Sequence, residues 1–202
     1  MSLRFSKREV FTGLSPFLEK DRIIVQRQMK GRSFSAEIVT AVARRCPHGC
    51  PQVLQCRPLY RGRPFPTLFW LCCPHLSYQC GVAESMGGVR ELEAYLKDFK
   101  TGYRTYNARY ALTRLSLLGL PERLFLRLYR PALWKSLRLT GVGGIRNIDD
   151  VTVKCLHLQT AACLALEGHP AETWLKGKLG SFSCEEAKCL QNNCHNLSIS
   201  RG

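Results

Sequence analysis

Acidic residues are scarce in this 202-residue chain, where 15 Asp and Glu stand against 30 Lys and Arg, a formal charge of +15. That imbalance disfavours basic partners and points to polyanions such as RNA, DNA or phosphate-rich ligands, or to an acidic protein. Long apolar runs are missing too. Even the longest, such as that from Leu68 to Cys73, are far short of the roughly 20 residues that span a bilayer. No apolar stretch follows the basic start at Arg4, Lys7 and Arg8, so no secretory leader is expected. These features predict a soluble cytoplasmic protein with no membrane partner. Internal repeats and low-complexity segments are absent, and 45% hydrophobic content excludes a chain disordered throughout.

Several catalytic signatures are also lacking. No Ser nucleophile elbow is present. The glycines at 141, 143 and 144 have neither the Lys-Ser/Thr of a Walker loop nor the strand–glycine–helix spacing of a dinucleotide fold. Backbone amides there can cradle phosphate, but a tight turn or hinge explains the run equally well. No Cys-x2-Cys pair occurs, the usual mark of a structural zinc site.

What the chain does have is cysteine, 11 of them, in a length that needs no disulfides for stability. An odd count without a leader fits a reducing compartment, where clustered thiols more often bind metal than pair. The pattern predicts an α+β fold, a small antiparallel three-stranded meander covered by helices. Ser15 and Pro16 suggest the start of a first helix that stops at Gly31. Strands are predicted over 37–45, 52–57 and 67–73, and helices over 75–85, 89–100 and 153–166. The basic stretch 103–139 reads as helices broken at Gly119 and Pro121 and bent again at Pro131. Three parts follow: an N-terminal helical segment (1–34), an α+β core (35–179) and a Cys-rich tail (180–202).

Arg45-Cys46-Pro47 with Gly49 and Pro51, then Pro64-Phe65-Pro66-Thr67 running into Trp70-Leu71 and Cys73-Pro74, then Gly143-Gly144 and Val153-Lys154-Cys155-Leu156-His157, follow one another in the chain. In that order they resemble a bacterial family known as domain of unknown function 501, over roughly residues 35 to 170. The resemblance supplies positions and no activity. Two positions depart from the family's usual residues. Gln159 stands where a second His is common, and Gly168-His169-Pro170 replaces an Asn-Pro-x-Gly run.

Cys46, Cys73 and Cys155 fall inside those motifs and form the first candidate metal site. In an up-down-up meander the first and third strands are parallel, so Cys46 and Cys73 share one sheet edge. Cys155 opens a helix, where unpaired N–H groups favour a thiolate. His157 can join Cys155 only if that first turn is not regular helix, because two residues turn the chain about 200°. Three dispersed thiols suit an open-site iron–sulfur cluster or a zinc ion, and buried packing thiols are the plainer alternative. His157 and His75 are then the candidate proton donors, and Arg45 and Lys154 the groups that attract an anionic, for instance phosphorylated, substrate. Cys50 and His48 extend the Cys46 motif, whereas Cys56, Cys80 and Cys163 read as packing residues. In the tail, Cys184, Cys189 and Cys194 recur every five residues and can converge on a metal only from a loop.

A second, competing expectation is an RNA- or ribonucleoprotein-binding module with a structural zinc. Ten basic residues against Asp98 and Glu122 between Lys97 and Arg138 support it. Arg104, Tyr106, Arg109 and Arg114 would make the contacts by stacking and phosphate pairing. No recognised RNA-binding motif accompanies them.

Overall fold

The computed structural model describes residues 13–30, 32, 35–65, 67–145, 151–185, 187, 189 and 190. The expected α+β fold is present. Helix α1 (Glu19–Gln28) and a short 3₁₀ turn (Ala36–Ile38) lead into β1 (Val39–Arg45), β2 (Pro51–Cys56), the two-residue strands β3 (Leu59–Tyr60) and β4 (Arg63–Pro64), and β5 (Phe69–Leu71). Then come α2 (Pro74–Ser85), α3 (Gly88–Lys97), α4 (Lys100–Ser116), α5 (Leu120–Tyr129), α6 (Pro131–Leu139), a 3₁₀ turn (Val142–Gly144), α7 (Leu156–Ala165) and α8 (Glu172–Leu179).

The main sheet has the order β1-β2-β5 with both pairings antiparallel, so β1 and β5 run parallel and end at one edge. The β3–β4 hairpin is inserted in the connection between β2 and β5. Breaks in the basic stretch fall where proline and glycine dictate. Gly119 is the N-cap of α5, and Pro131 opens α6 at a position where its missing N–H is harmless.

Two local expectations are corrected. Ser15 does not cap α1 but pairs with β1, its N–H donating to Val42 O at 3.0 Å and its carbonyl accepting from Val42 N at 2.9 Å. The helix starts after Leu18, whose N–H is taken by the Asp21 carboxylate at 3.0 Å, so an acidic residue in the first turn replaces the Ser cap. Helix α8 was not foreseen, since its run of Trp174, Leu175 and Leu179 among lysines is short.

The principal core gathers β2, β5, α2, α3, α4 and α7 around Val53, Phe69, Leu76, Leu92, Leu96, Tyr103, Tyr110 and Leu156. Two glycines set the approach of α2 to α7. Gly87, at φ 86°, ends α2 in the left-handed region. A Cβ on Gly88 would sit 2.7 Å from Ala83 O and 3.1 Å from Leu156 Cδ1. That close contact puts the last turn of α2 against the first turn of α7.

Candidate metal centre

The last turn of α2 carries Glu84. Its buried face runs through Leu76, Cys80 and Ala83, and Glu84 continues the i, i+4 stripe from Leu76 and Cys80 into a half-buried position. Opposite it, Cys155 is the N-cap of α7 with extended backbone (φ −166°, ψ 159°). Because Cys155 lies outside the helix, the angular conflict with His157 disappears.

Glu84, Cys155 and His157 offer a carboxylate oxygen, a sulfur and an imidazole nitrogen within 4.8 Å of one another, the one such His/Cys/Asp/Glu group among the described residues. His157 Nδ1 lies 3.0 Å from Glu84 Oε1, and the same oxygen accepts from the backbone N–H of Leu156 at 2.6 Å and of His157 at 3.4 Å. Glu84 thus also satisfies donors at the start of α7 that the Cys155 side chain leaves open. Burial pushes the Cys155 thiol up, and the Glu84 carboxylate adds to that, while Lys154 and the N–H groups of Leu158 and His157 pull the other way. Histidine and carboxylate remain accessible, at 29% and 25% side-chain exposure.

The predicted trio of cysteines is divided. Cys46 and Cys73 line one pocket at the shared sheet edge together with Cys50, Cys184, Cys189, His48, Gln28 and Gln52. Cys155 is not among its lining residues and belongs to the carboxylate–histidine group instead. Cys194 lies outside the described residues. Cys72 faces the other way from Cys73, into a cluster with Val25, Met29, Val42 and Leu54, as alternation along a strand requires. His75 does not join Glu84; its Nε2 lies 3.0 Å from Ser181 O and holds the tail.

The basic candidates separate by burial. Arg45 is paired with Asp21 at 2.7 Å and also donates to Ser15 Oγ, Pro16 O and Gly49 O, which ties α1 to the β1–β2 turn. That guanidinium holds the Asp21 carboxyl below its usual range. Arg114 is 0% exposed and donates to Leu137 O, Thr140 O, Thr140 Oγ1 and Gly141 O. Tyr106 is 2% exposed and donates to Leu166 O. Neither can meet a polyanion at the surface; both are core groups whose polar atoms serve the backbone. Arg104, Arg109 and Lys154 are exposed, with the Arg109 guanidinium 5.4 Å above the Tyr106 ring. The glycine loop is a turn packed on α7, where a Cβ on Gly143 would meet Leu158 Cδ1 at 2.8 Å.

Sequence reasoning missed Glu84. One signal was available, a carboxylate in line with the apolar stripe of α2, but only the fold shows what it faces.

Residues 42–176 match the family described as Protein of unknown function (DUF501). The chain belongs to that family. The match runs from Val42, within β1, to the middle of α8, and takes in Glu84, Cys155 and His157, whereas Cys184 and Cys189 lie beyond it. No curated protein and no solved structure shows similarity to this DUF501 chain.

Proposed function

We propose that this DUF501 protein binds a divalent transition metal, zinc by its donor set, through Glu84, Cys155 and His157, with a fourth position left for water or an anionic ligand. The convergence of three different ligand atoms within 4.8 Å carries this proposal. A tetrahedral zinc with bonds of about 2.0–2.3 Å separates its ligand atoms by about 3.3–3.6 Å. The His157–Glu84 pair, at 3.0 Å, needs only a small expansion. All the contacts from α7 onto Glu84 fall on Oε1. Three protein ligands with partial exposure is the pattern of sites where the metal acts as a Lewis acid, and Lys154 beside Cys155 is exposed to draw an anion toward it.

Equilibrium dialysis with zinc tests this, using the intact chain and the Glu84→Gln, Cys155→Ser and His157→Gln variants. Each substitution should weaken binding at this site tenfold or more. Unchanged zinc content and affinity in all three variants would sink the proposal.

A second reading, a basic module that docks on RNA, is favoured by one surface feature. Lys100 and Arg104 are exposed at i, i+4 on α4, and Arg109 is exposed farther along the same helix. Affinity for generic RNA should then fall steeply between low and moderate salt. No retention at low salt removes it.

A further inference from the structure

The thiol pocket at the sheet edge is separate from the Glu84 group and gathers the residue types of a metal site of its own, although no three of its ligand atoms lie within 4.8 Å of one another, so a bound ion has to draw them together. Five thiols line it: Cys46 and Cys50 from the β1–β2 turn, Cys73 at the N-cap of α2, and Cys184 and Cys189 from the segment after α8. The turn Cys46-Pro47-His48-Gly49-Cys50 is tight, with Cys46 N–H donating to Cys50 O and Gly49 N–H to Cys46 O, both at 2.9 Å. Gly49, at φ 78°, makes that turn possible. A Cys-x3-Cys pair on such a turn lies within the spacing zinc ligands use.

Residues 181–184 are held at the pocket by three side chains that reach carbonyl oxygens of this stretch. Gln52 Nε2 donates to Phe182 O at 2.6 Å, His75 Nε2 lies 3.0 Å from Ser181 O, and His48 Nε2 lies 2.9 Å from Cys184 O. Gln28, 8% exposed, lines the same pocket and donates through Nε2 to Cys189 Sγ at 3.3 Å and to Pro51 O at 3.0 Å. Its Oε1 is buried with no partner among the described residues. An N–H donated to sulfur is the kind of second contact that steadies a metal-bound thiolate. Arg45 sits beside Cys46 and Cys50, where its charge offsets the net negative charge of a thiolate-rich site.

We propose that this pocket is a structural zinc site in which four of these five thiols, with Cys184 and Cys189 supplied by the tail, clasp the C-terminal segment to the sheet edge. Four sulfurs in tetrahedral array suit zinc, and a closed ligand set stabilises rather than catalyses. Binding releases one proton per thiol engaged, and the metal's charge offsets the cost of burying the thiolates.

The test is metal analysis of the full chain purified under reducing conditions, with and without Cys184→Ser and Cys189→Ser together. Those positions lie beyond the family-matched core, so far-UV circular dichroism should be unchanged. The double substitution should remove one zinc equivalent per chain. It should also cut the thiolate charge-transfer absorption of the cobalt-substituted protein to the contribution of Cys155 alone. In a Glu84→Gln, His157→Gln background the thiol-bound equivalent should remain, which separates this site from the other. Zinc content undiminished after loss of both tail thiols overturns the proposal. So does a Glu84→Gln, His157→Gln protein without metal, or one that carries iron and acid-labile sulfide instead.

Discussion

His169 and Gln159 are hydrogen-bonded to each other inside the main core, Nε2 to Oε1 at 2.9 Å. Ten residues apart in the chain, they are direct partners in the fold. The chain of bonds continues in both directions. Ala171 N–H donates to His169 Nδ1 at 3.1 Å, so Nε2 carries the proton. Gln159 Nε2 donates to Tyr103 Oη at 2.8 Å, and Tyr103 donates to Thr152 O at 3.3 Å. The bond from Ala171 requires a neutral imidazole, because Nδ1 must accept.

Acid should therefore unfold this protein earlier than its carboxylates alone would dictate. Burial lowers the His169 pKa from 6.5 to about 3. Below pH 6.5 the unfolded chain takes up a proton that the folded chain refuses, so stability falls with pH from 6.5 toward 3. At pH 5 the loss is about 2 kcal/mol from this one group. His169→Asn should flatten that slope in urea unfolding at pH 7 and 5, whereas Asp21, lowered by Arg45, contributes only below about pH 3.8.

Alkaline pH should destabilise it from the other side. Burial pushes the Cys56 and Cys163 thiols up to about 12, against 9 for an ordinary thiol. Above pH 9 the unfolded chain loses protons that the folded chain keeps, so stability falls with rising pH up to about 12. Each thiol accounts for about 1 kcal/mol at pH 10. Urea unfolding under reducing conditions at pH 8 and 10 measures this, and Cys56→Ala with Cys163→Ala should shrink the difference.

Gly88→Ala tests the packing that builds the carboxylate–thiol–histidine group. The added methyl would press on Ala83 O at 2.7 Å and on Leu156. We expect a destabilisation of about 1–3 kcal/mol, with weaker zinc binding because α2 and α7 are pushed apart. A thermal melt and a zinc titration read the two effects separately.

Arg114 and Arg104 should behave in opposite ways although they share α4. Arg114→Met removes the donor to four buried acceptors and should destabilise by about 3 kcal/mol or more. Arg104→Ala should change stability by less than about 0.5 kcal/mol. If the basic surface binds RNA, Arg104→Ala with Lys100→Ala reduces both the affinity and its salt slope. Chemical unfolding and filter binding distinguish the pair.

Local chemistry by itself determined much of this protein. Alternation and β-branched runs placed the three main strands, Gly119, Pro121 and Pro131 broke the basic stretch, and the motifs around Cys46, Cys73 and Lys154-Cys155-Leu156-His157 marked the family. Strand direction alone brought Cys46 and Cys73 to one edge. Only the tertiary structure decided which ligands meet. Gly88 lets α2 lean on α7, which gives Cys155 a carboxylate partner 71 residues away in sequence in place of the two other cysteines. Arg114 and Tyr106 look like surface residues in a lopsidedly basic stretch, but α4 turns them inward because the core has unpaired carbonyls to satisfy and apolar area to bury. Spacing within one segment is set by covalent geometry, whereas contacts between segments depend on how whole faces pack. That is why the motifs were legible and Glu84 was not.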